Sequence, residues 1–174
     1  ITDDDGTELP TGDVGTLWIK GDSIASGYWN QHEQNKETFN GPWINTRDKF
    51  RLDQDGYFWY AGRTDDMMKV SGQAVWPTDV EGVLQEHPAV LESGVVGAND
   101  KDGLLRPVAY VVLKNGDQAS SDLAAELQQF VKQKTSPHKY PRAVIFLETL
   151  PKTATGKIRR YQLRDRTKKE NPLL

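Results

Sequence analysis

The sequence contains no cysteine, which excludes a disulfide framework and a thiolate nucleophile. It has only three histidines, His32, His87 and His138, and they are scattered without metal-ligand spacing, so no zinc centre is expected. Gly-x-Ser-x-Gly elbows, obvious catalytic triads, internal repeats and low-complexity segments are also missing. No apolar run approaches the roughly 18 residues of a membrane-spanning helix. The first residues, ITDDDGTELPTGD, are acidic where a secretory leader would be basic and then apolar. There is no initiator methionine and the chain enters in mid-loop, so the expectation is a fragment of a longer protein.

What remains is a chain of 174 residues, 36% hydrophobic and 27% charged, the composition of a soluble globular protein with a cytoplasmic setting. The net charge of −3 conceals an uneven distribution. Residues 1–65 carry 12 acidic and 6 basic side chains, 66–150 carry 11 and 8, and 151–174 carry 2 and 8. A basic tail of this kind attracts phosphates or forms a solvated helix.

Taken in order, Thr16–Lys20 has strand character, and Asn30, with Glu33 three residues on, predicts a capped helix through Thr38. Trp43 to Tyr60 predicts two strands around Asp55-Gly56, a hairpin turn signal. This front portion is β-rich but too small and too acidic for a complete domain, and reads as the trailing edge of one. The dense stretch GRTDDMMKVSG, Gly62 to Gly72, follows it and reads as a strand end feeding a hinge. Next, Thr78 with Glu81 predicts a capped helix whose apolar stripe is Val80, Val83, Leu84 and His87, stopped by Pro88. Val90–Gly97 and Pro107–Leu113 predict strands on either side of a polar turn. Ser121 opens a second helix with Leu123, Leu127, Phe130 and Val131 on one face, and Ala143–Leu147 predicts a third strand. After the PKTATGK loop, Pro151–Lys157, comes a short basic helix to about Lys169. The expected fold class is α+β, with helices packed on a small mixed sheet.

Lys157, in a loop rich in glycine and threonine, supplies a mobile point charge suited to a phosphate or a developing oxyanion. The loop is not a P-loop, because Pro151 replaces the first glycine and Ile158 stands where Ser or Thr would bind magnesium. By spacing alone a Gly-Lys turn is usually just a solvated turn. Asp48 and Asp65 bracket the hairpin, with Arg63 beside the second. A carboxylate can take both hydroxyls of a ribose and an arginine can fork onto phosphate, but the same residues also serve as a turn cap and a surface ion pair.

In this order GYWN, WINTRDKF, YAGRTDDMMKVSG with PTDVE, and PKTATGKIRR closely resemble the C-terminal third of adenylate-forming enzymes: acyl- and aryl-CoA synthetases, amino-acid adenylation domains and luciferases. The run DDMMKVSGQAVWPTDVE most resembles benzoate-type CoA ligases. The resemblance implies that residues 1–64 are the β-rich edge of a large N-terminal domain and residues 65–174 a mobile α+β C-terminal domain. It implies a two-step ligase using an aryl or other small carboxylate, with ATP and CoA. Magnesium is expected for the full-length enzyme, with no ligand for it in this chain. It also implies roles for single residues. Lys157 bridges carboxylate and α-phosphate, and its acetylation would stop adenylation. Asp48, Tyr60 and Arg63 face the nucleotide, and Asp65 is the hinge. Lys69, Ser71, Gly72 and Lys139 lie on the face used for thioester formation, with His138 and Arg142 close to the CoA nucleotide. Gly72 is expected to be small so as not to obstruct the pantetheine tunnel.

One departure stands out. Where the family usually reads Thr-Gly-Asp, this chain has Thr46-Arg47-Asp48, so a left-handed backbone there would strain Arg47 or displace Asp48. The upstream phosphate loop, adenine pocket and carboxylate pocket of the family are not in this sequence, so the fragment alone is expected to be inactive. Two alternatives are an amino-acid adenylation domain loading a carrier protein, and a nucleic-acid-binding module using the basic tail. No membrane or nucleic-acid partner is expected, and oligomeric state is not legible.

Overall fold

The computed structural model describes residues 1–114 and 118–174. The chain divides into two compact units, Ile1–Asp65 and Asp66–Leu174.

The first unit is a four-stranded antiparallel sheet. Its strands are β1 (Val14–Lys20), β2 (Phe39–Asn40), β3 (Trp43–Leu52) and β4 (Phe58–Arg63), with helix α1 (His32–Thr38) before β2. The long β3 is the spine, pairing with each of the others. The β3–β4 hairpin closes where expected. Asp53 Oδ1 accepts from the amides of Asp55 and Tyr57, and Gly56 takes φ +85°. The Trp59 indole donates to Asp53 at 2.5 Å and, with the Tyr57 amide, holds that carboxyl below the usual carboxylate range. Asn30 does not cap α1. It sits at φ +53°, the N-cap is Gln31, and the Asn35 side chain instead bonds both backbone groups of Tyr28. Among the described residues no hydrophobic side chain of this unit is fully buried, and Tyr57 to Tyr60 are all more than half exposed.

The second unit contains the core. A mixed sheet of β7 (Val90–Asn99), β8 (Leu105–Leu113) and β9 (Ala143–Phe146) has β8 at its centre, antiparallel to β7 and parallel to β9. The parallel pair requires a crossover, which α3 (Ser121–Lys134) supplies. Alternation along the strands sorts the core into two layers. Val95, Ala109 and Val111 face α3 and α2 (Pro77–Gln85), where Val80, Leu84, Leu127 and Val131 pack. Val96, Val108, Tyr110 and Val112 face Leu150 and Leu163, the latter on α4 (Arg160–Lys169). A methyl group on Gly94 would lie 2.8 Å from Leu163, so this glycine lets α4 seat on β7. Burying each such leucine or valine contributes about 1.5–3 kcal/mol.

Two caps differ from expectation. Trp76 is the N-cap of α2 because Pro77, with its fixed φ, occupies the first helical turn and places Thr78 inside the helix. Glu81 is thereby released from any capping box. α3 is capped by Ser120 rather than Ser121, its side chain accepting from the Leu123 amide at 3.1 Å. The stretch read only as a hinge also contains a hairpin, β5 (Met68–Val70) and β6 (Gln73–Val75). Its two-residue turn, Ser71 and Gly72, has φ +51° and +82°, the conformation that matches strand twist.

Candidate active-site elements

Asp48 and Arg63 are directly paired in register across β3 and β4, and Arg63 Nη1 lies 3.2 Å from Asp48 Oδ1. Arg63 Nη2 is 3.9 Å from Asp65 as well, so one guanidinium serves two half-exposed carboxylates. Tyr60, on the same strand, stands edge-on to Phe50 with ring centres 5.4 Å apart. Arg47 takes the left-handed conformation, φ +58°, which an arginine adopts at a cost of about 1–2 kcal/mol. Local bonds hold it there: Asn45 Oδ1 accepts from the Arg47 amide at 2.8 Å and Thr46 Oγ1 from the Asp48 amide at 3.1 Å. The Arg47 guanidinium pairs with Glu37 at 2.8 Å. Of the two outcomes the sequence allowed, strain is the one realised, and Asp48 keeps its register. A cavity of about 530 Å³ in this unit is lined by Asp3, Asp4, Asp5, Glu37, Arg47 and Asp65, a charge balance that repels polyphosphate.

In the second unit Lys69 is exposed on β5 opposite Ala74, and Ser71 Oγ accepts from Arg106 at 3.4 Å. Nothing lies within 4 Å of a Cβ built on Gly72, so in this structure glycine is required by its φ rather than by crowding. Lys139 pairs with Asp79, in the first turn of α2, at 2.6 Å. Arg142 stacks 4.1 Å above the Tyr140 ring. It lines a cavity of about 260 Å³ with Asp100, Lys101, Asp102, Arg106 and Leu173. Partial burial, then the nearby Arg106 charge, lower the Arg142 pKa, so an anion here would relieve two cations. Arg106 also bonds Asp100 at 2.9 Å, holding that carboxyl below its ordinary range.

Lys157 ends a tight loop. The Thr153 amide donates to Lys157 O at 2.8 Å, Gly156 N to Thr153 O at 2.9 Å, and Lys157 N to Thr153 Oγ1 at 3.1 Å. Gly156 supplies the φ of +82° that closes the turn. The Lys157 side chain is exposed, with no ion pair among the described residues. Its neighbour Lys152 is committed to Glu92 at 2.5 Å.

Sequence reasoning passed over three charged residues of the second unit, Asp66, Arg160 and Arg164, and read a fourth, Glu81, only as part of a helix cap. Glu81 is buried, accepts the Val95 amide at 2.8 Å and takes a two-pronged bond from Arg160 at 2.6 and 3.3 Å. Burial pushes its carboxyl above the ordinary range while Arg160 pulls it back. Asp66 receives Arg164 at 2.5 Å and Arg160 at 3.6 Å. The signal was present: Glu81 interrupts an apolar helix face, and Arg160 and Arg164 are four apart on a helix. No group of three metal-ligating side chains is found among the described residues, and no helix of the described residues is long and apolar enough to cross a membrane.

Residues 79–157 match the AMP-binding enzyme C-terminal domain. The chain is 48% identical over 165 residues to a benzoate–CoA ligase of Thauera aromatica, covering 94% of this chain and 31% of that protein. It is 43% identical over 168 residues to a 4-hydroxybenzoate–CoA/benzoate–CoA ligase of Rhodopseudomonas palustris, covering 96% and 31%. Among solved structures, the anthranilate CoA ligase AuaEII in complex with anthranoyl-AMP superposes with TM-score 0.89 at 41% identity, covering 94% of this chain and 32% of that one. A benzoate CoA ligase from Burkholderia xenovorans LB400 does so with TM-score 0.84 at 50% identity, covering 93% and 32%. The chain thus spans about a third of the length of the relatives it matches. Family match, identity and fold agree: residues 79–157 carry the AMP-binding enzyme C-terminal domain, and the chain is similar over nearly its whole length to the C-terminal third of benzoate-type CoA ligases.

Proposed function

We propose that this chain is the C-terminal part of an ATP-dependent acid-thiol ligase that joins an aryl or other small carboxylate to CoA. The observation that carries the proposal is Lys157, an exposed ammonium with no ion pair among the described residues, at the end of a fastened loop. In the first step a carboxylate oxygen bonds to the α-phosphorus of ATP as the bond to the β-phosphate oxygen breaks, releasing pyrophosphate. Lys157 offsets the negative charge that the approaching carboxylate and the α-phosphoryl oxygens bring together, a contact that strengthens as the bond forms. In the second step the CoA thiol loses its proton to solvent, its sulfur bonds to the acyl carbon, and the bond to AMP breaks.

Asp48 accepts the ribose hydroxyls in this reading. Arg63 reaches ribose and phosphate, already oriented by Asp48, and Tyr60 packs near the nucleotide. Residues 1–64 are the edge of a larger N-terminal domain, which fits the bare aromatic strand β4. The domain from residue 65 on turns at Asp65 between the two steps. Lys69, Ser71, Gly72 and Lys139 line the thioester face, and the Arg106–Arg142 pair adds a phosphate-sized cation cluster beside Ser71. A cytoplasmic location belongs to the same proposal. Likeness to CoA ligases favours CoA over a carrier protein as acceptor. Arg160, Arg164 and Arg166 of the basic tail are spent on Glu81, Asp66 and Glu170, which leaves little of it for nucleic acid.

The test uses the full-length ligase with ATP, CoA and a panel of aryl and alkyl acids, following adenylate and thioester separately. Wild type is expected to activate an aryl acid. Lys157→Ala is expected to lose adenylate formation by about 10²-fold or more while still converting supplied adenylate. No activated carboxylate, or a variant equal to wild type, sinks the reading. The 174 residues alone are expected to release no carboxylate-dependent pyrophosphate.

A further inference from the structure

The Lys157 loop and the start of the second unit are far apart in sequence, yet charged contacts join the chain just after that loop to Asp66. Asp66, its first residue, has a side chain only 10% exposed and is held by Arg164 at 2.5 Å and Arg160 at 3.6 Å. The Arg160 fork also grips Glu81 of α2, and Glu81 in turn takes the Val95 amide of β7. Arg160 lies three residues beyond Lys157 and opens α4. The intervening chain is tied off as well: Arg159 N donates to Pro151 O at 2.8 Å, and Lys152 bridges to Ile158. At the other foot of the loop Lys152 is paired with Glu92 of β7. The loop is therefore anchored at both feet to the same strand, and at one of them also to the residue next to Asp65.

Stability alone does not call for such an arrangement. Two carboxylates and the Arg160 guanidinium, largely withdrawn from water, cost desolvation that their attraction only roughly offsets, and apolar residues of the same size would serve the fold as well. What an ion-pair fork adds is a fixed geometry.

We propose that Arg160 is a positioning residue for Lys157: with Asp66 and Glu81 it locks the root of the Lys157 loop to the first residue of the second unit, so that backbone rotation at Asp65 reaches Lys157 without slack. The proposal rests on the roles given above to Lys157 and Asp65. Displacing a reacting group by about 1 Å costs on the order of 10²-fold in rate, so even modest play at this root is felt in adenylation. Thioester formation, which does not use Lys157, is spared.

Two arms test it, with Arg160→Lys, which keeps the charge but loses the fork, and Asp66→Asn. In the 174-residue chain, amide hydrogen exchange over residues 152–159 is expected to rise about tenfold in both variants, with exchange in β8 and α3 unchanged. In the full-length ligase, adenylate formation is expected to fall roughly 10–100-fold in kcat with KM for ATP little changed. Conversion of supplied adenylate should move less than about twofold. Unchanged exchange at 152–159, or equal losses in both half-reactions, overturns the proposal. A wild-type enzyme that forms no adenylate overturns the reading of Lys157 instead, and the exchange arm, which needs no substrate, tells the two failures apart.

Discussion

Arg47 shows how one residue can depart from a family pattern without moving its neighbour. The left-handed conformation it occupies strains any L side chain, least for glycine and most for β-branched residues. Relief of that strain in Arg47→Gly is set against glycine's backbone entropy, about 0.5–1 kcal/mol, and an exposed ion pair with Glu37 contributing at most about 1 kcal/mol. These terms nearly cancel, so Gly is expected to melt close to Arg, with Val lower by about 1–2 kcal/mol. A series in which Arg47→Val melts with wild type would show that the left-handed turn does not persist in solution. Asp48 and Arg63 were legible by type, but their pairing was not. It depends on the β3–β4 register, including an irregularity between Lys49 and Phe50 that no local pattern encodes. Glu81 was misread for a related reason, since its partners Val95 and Arg160 are 14 and 79 residues away.

At the scale of elements, the long periodic segments were readable. β3, β4, β7, β8, β9 and α3 stand where alternation or helical spacing put them, and α4 follows the PKTATGK loop as expected, with strand ends displaced by one to three residues. The β5–β6 hairpin was not readable because strands of three residues carry too few alternating positions to register as a period. Its turn gives a sharp prediction. L-alanine at position 72 should destabilise the second unit by about 1 kcal/mol through backbone strain alone. D-alanine, introduced by semisynthesis, should restore wild-type stability because it favours positive φ and meets nothing within 4 Å. If both alanines are equally harmful, space and not conformation governs Gly72. For α2, burial raises the folded pKa of Glu81 above its ordinary 4.5, so the folded state holds that proton more tightly than the unfolded chain. The carboxyl's contribution is then fully present below pH 4.5 and is lost as pH rises through the raised value. Wild type should lose stability relative to Glu81→Gln across that window in paired chemical denaturations, and a constant difference would contradict the assignment.

For the molecule as a whole, the two units differ in self-sufficiency. Residues 66–174 have a two-layered core and helices on both faces of the sheet, whereas residues 1–65 bury no hydrophobic side chain fully among those described. Prepared separately, residues 66–174 should unfold in one cooperative transition with native-like circular dichroism, and residues 1–65 should show no cooperative melt. This contrast was partly legible, because the charge balance and the shift from β-rich to alternating helix and strand both change near residue 65. The fold class followed from pattern; the site did not, since its residues acquire meaning only through neighbours distant in the chain.

The bare strand β4 has a practical consequence. Among the described residues its strand partner is β3, and Phe58 and Trp59 point to opposite faces while each remains more than half exposed. Exposed aromatic side chains on both faces of one strand favour association with other surfaces. Handling of the purified chain will be governed by this segment: turbidity should climb with protein concentration, and a lysine at Trp59 should suppress it while leaving the second unit's melting temperature where it was.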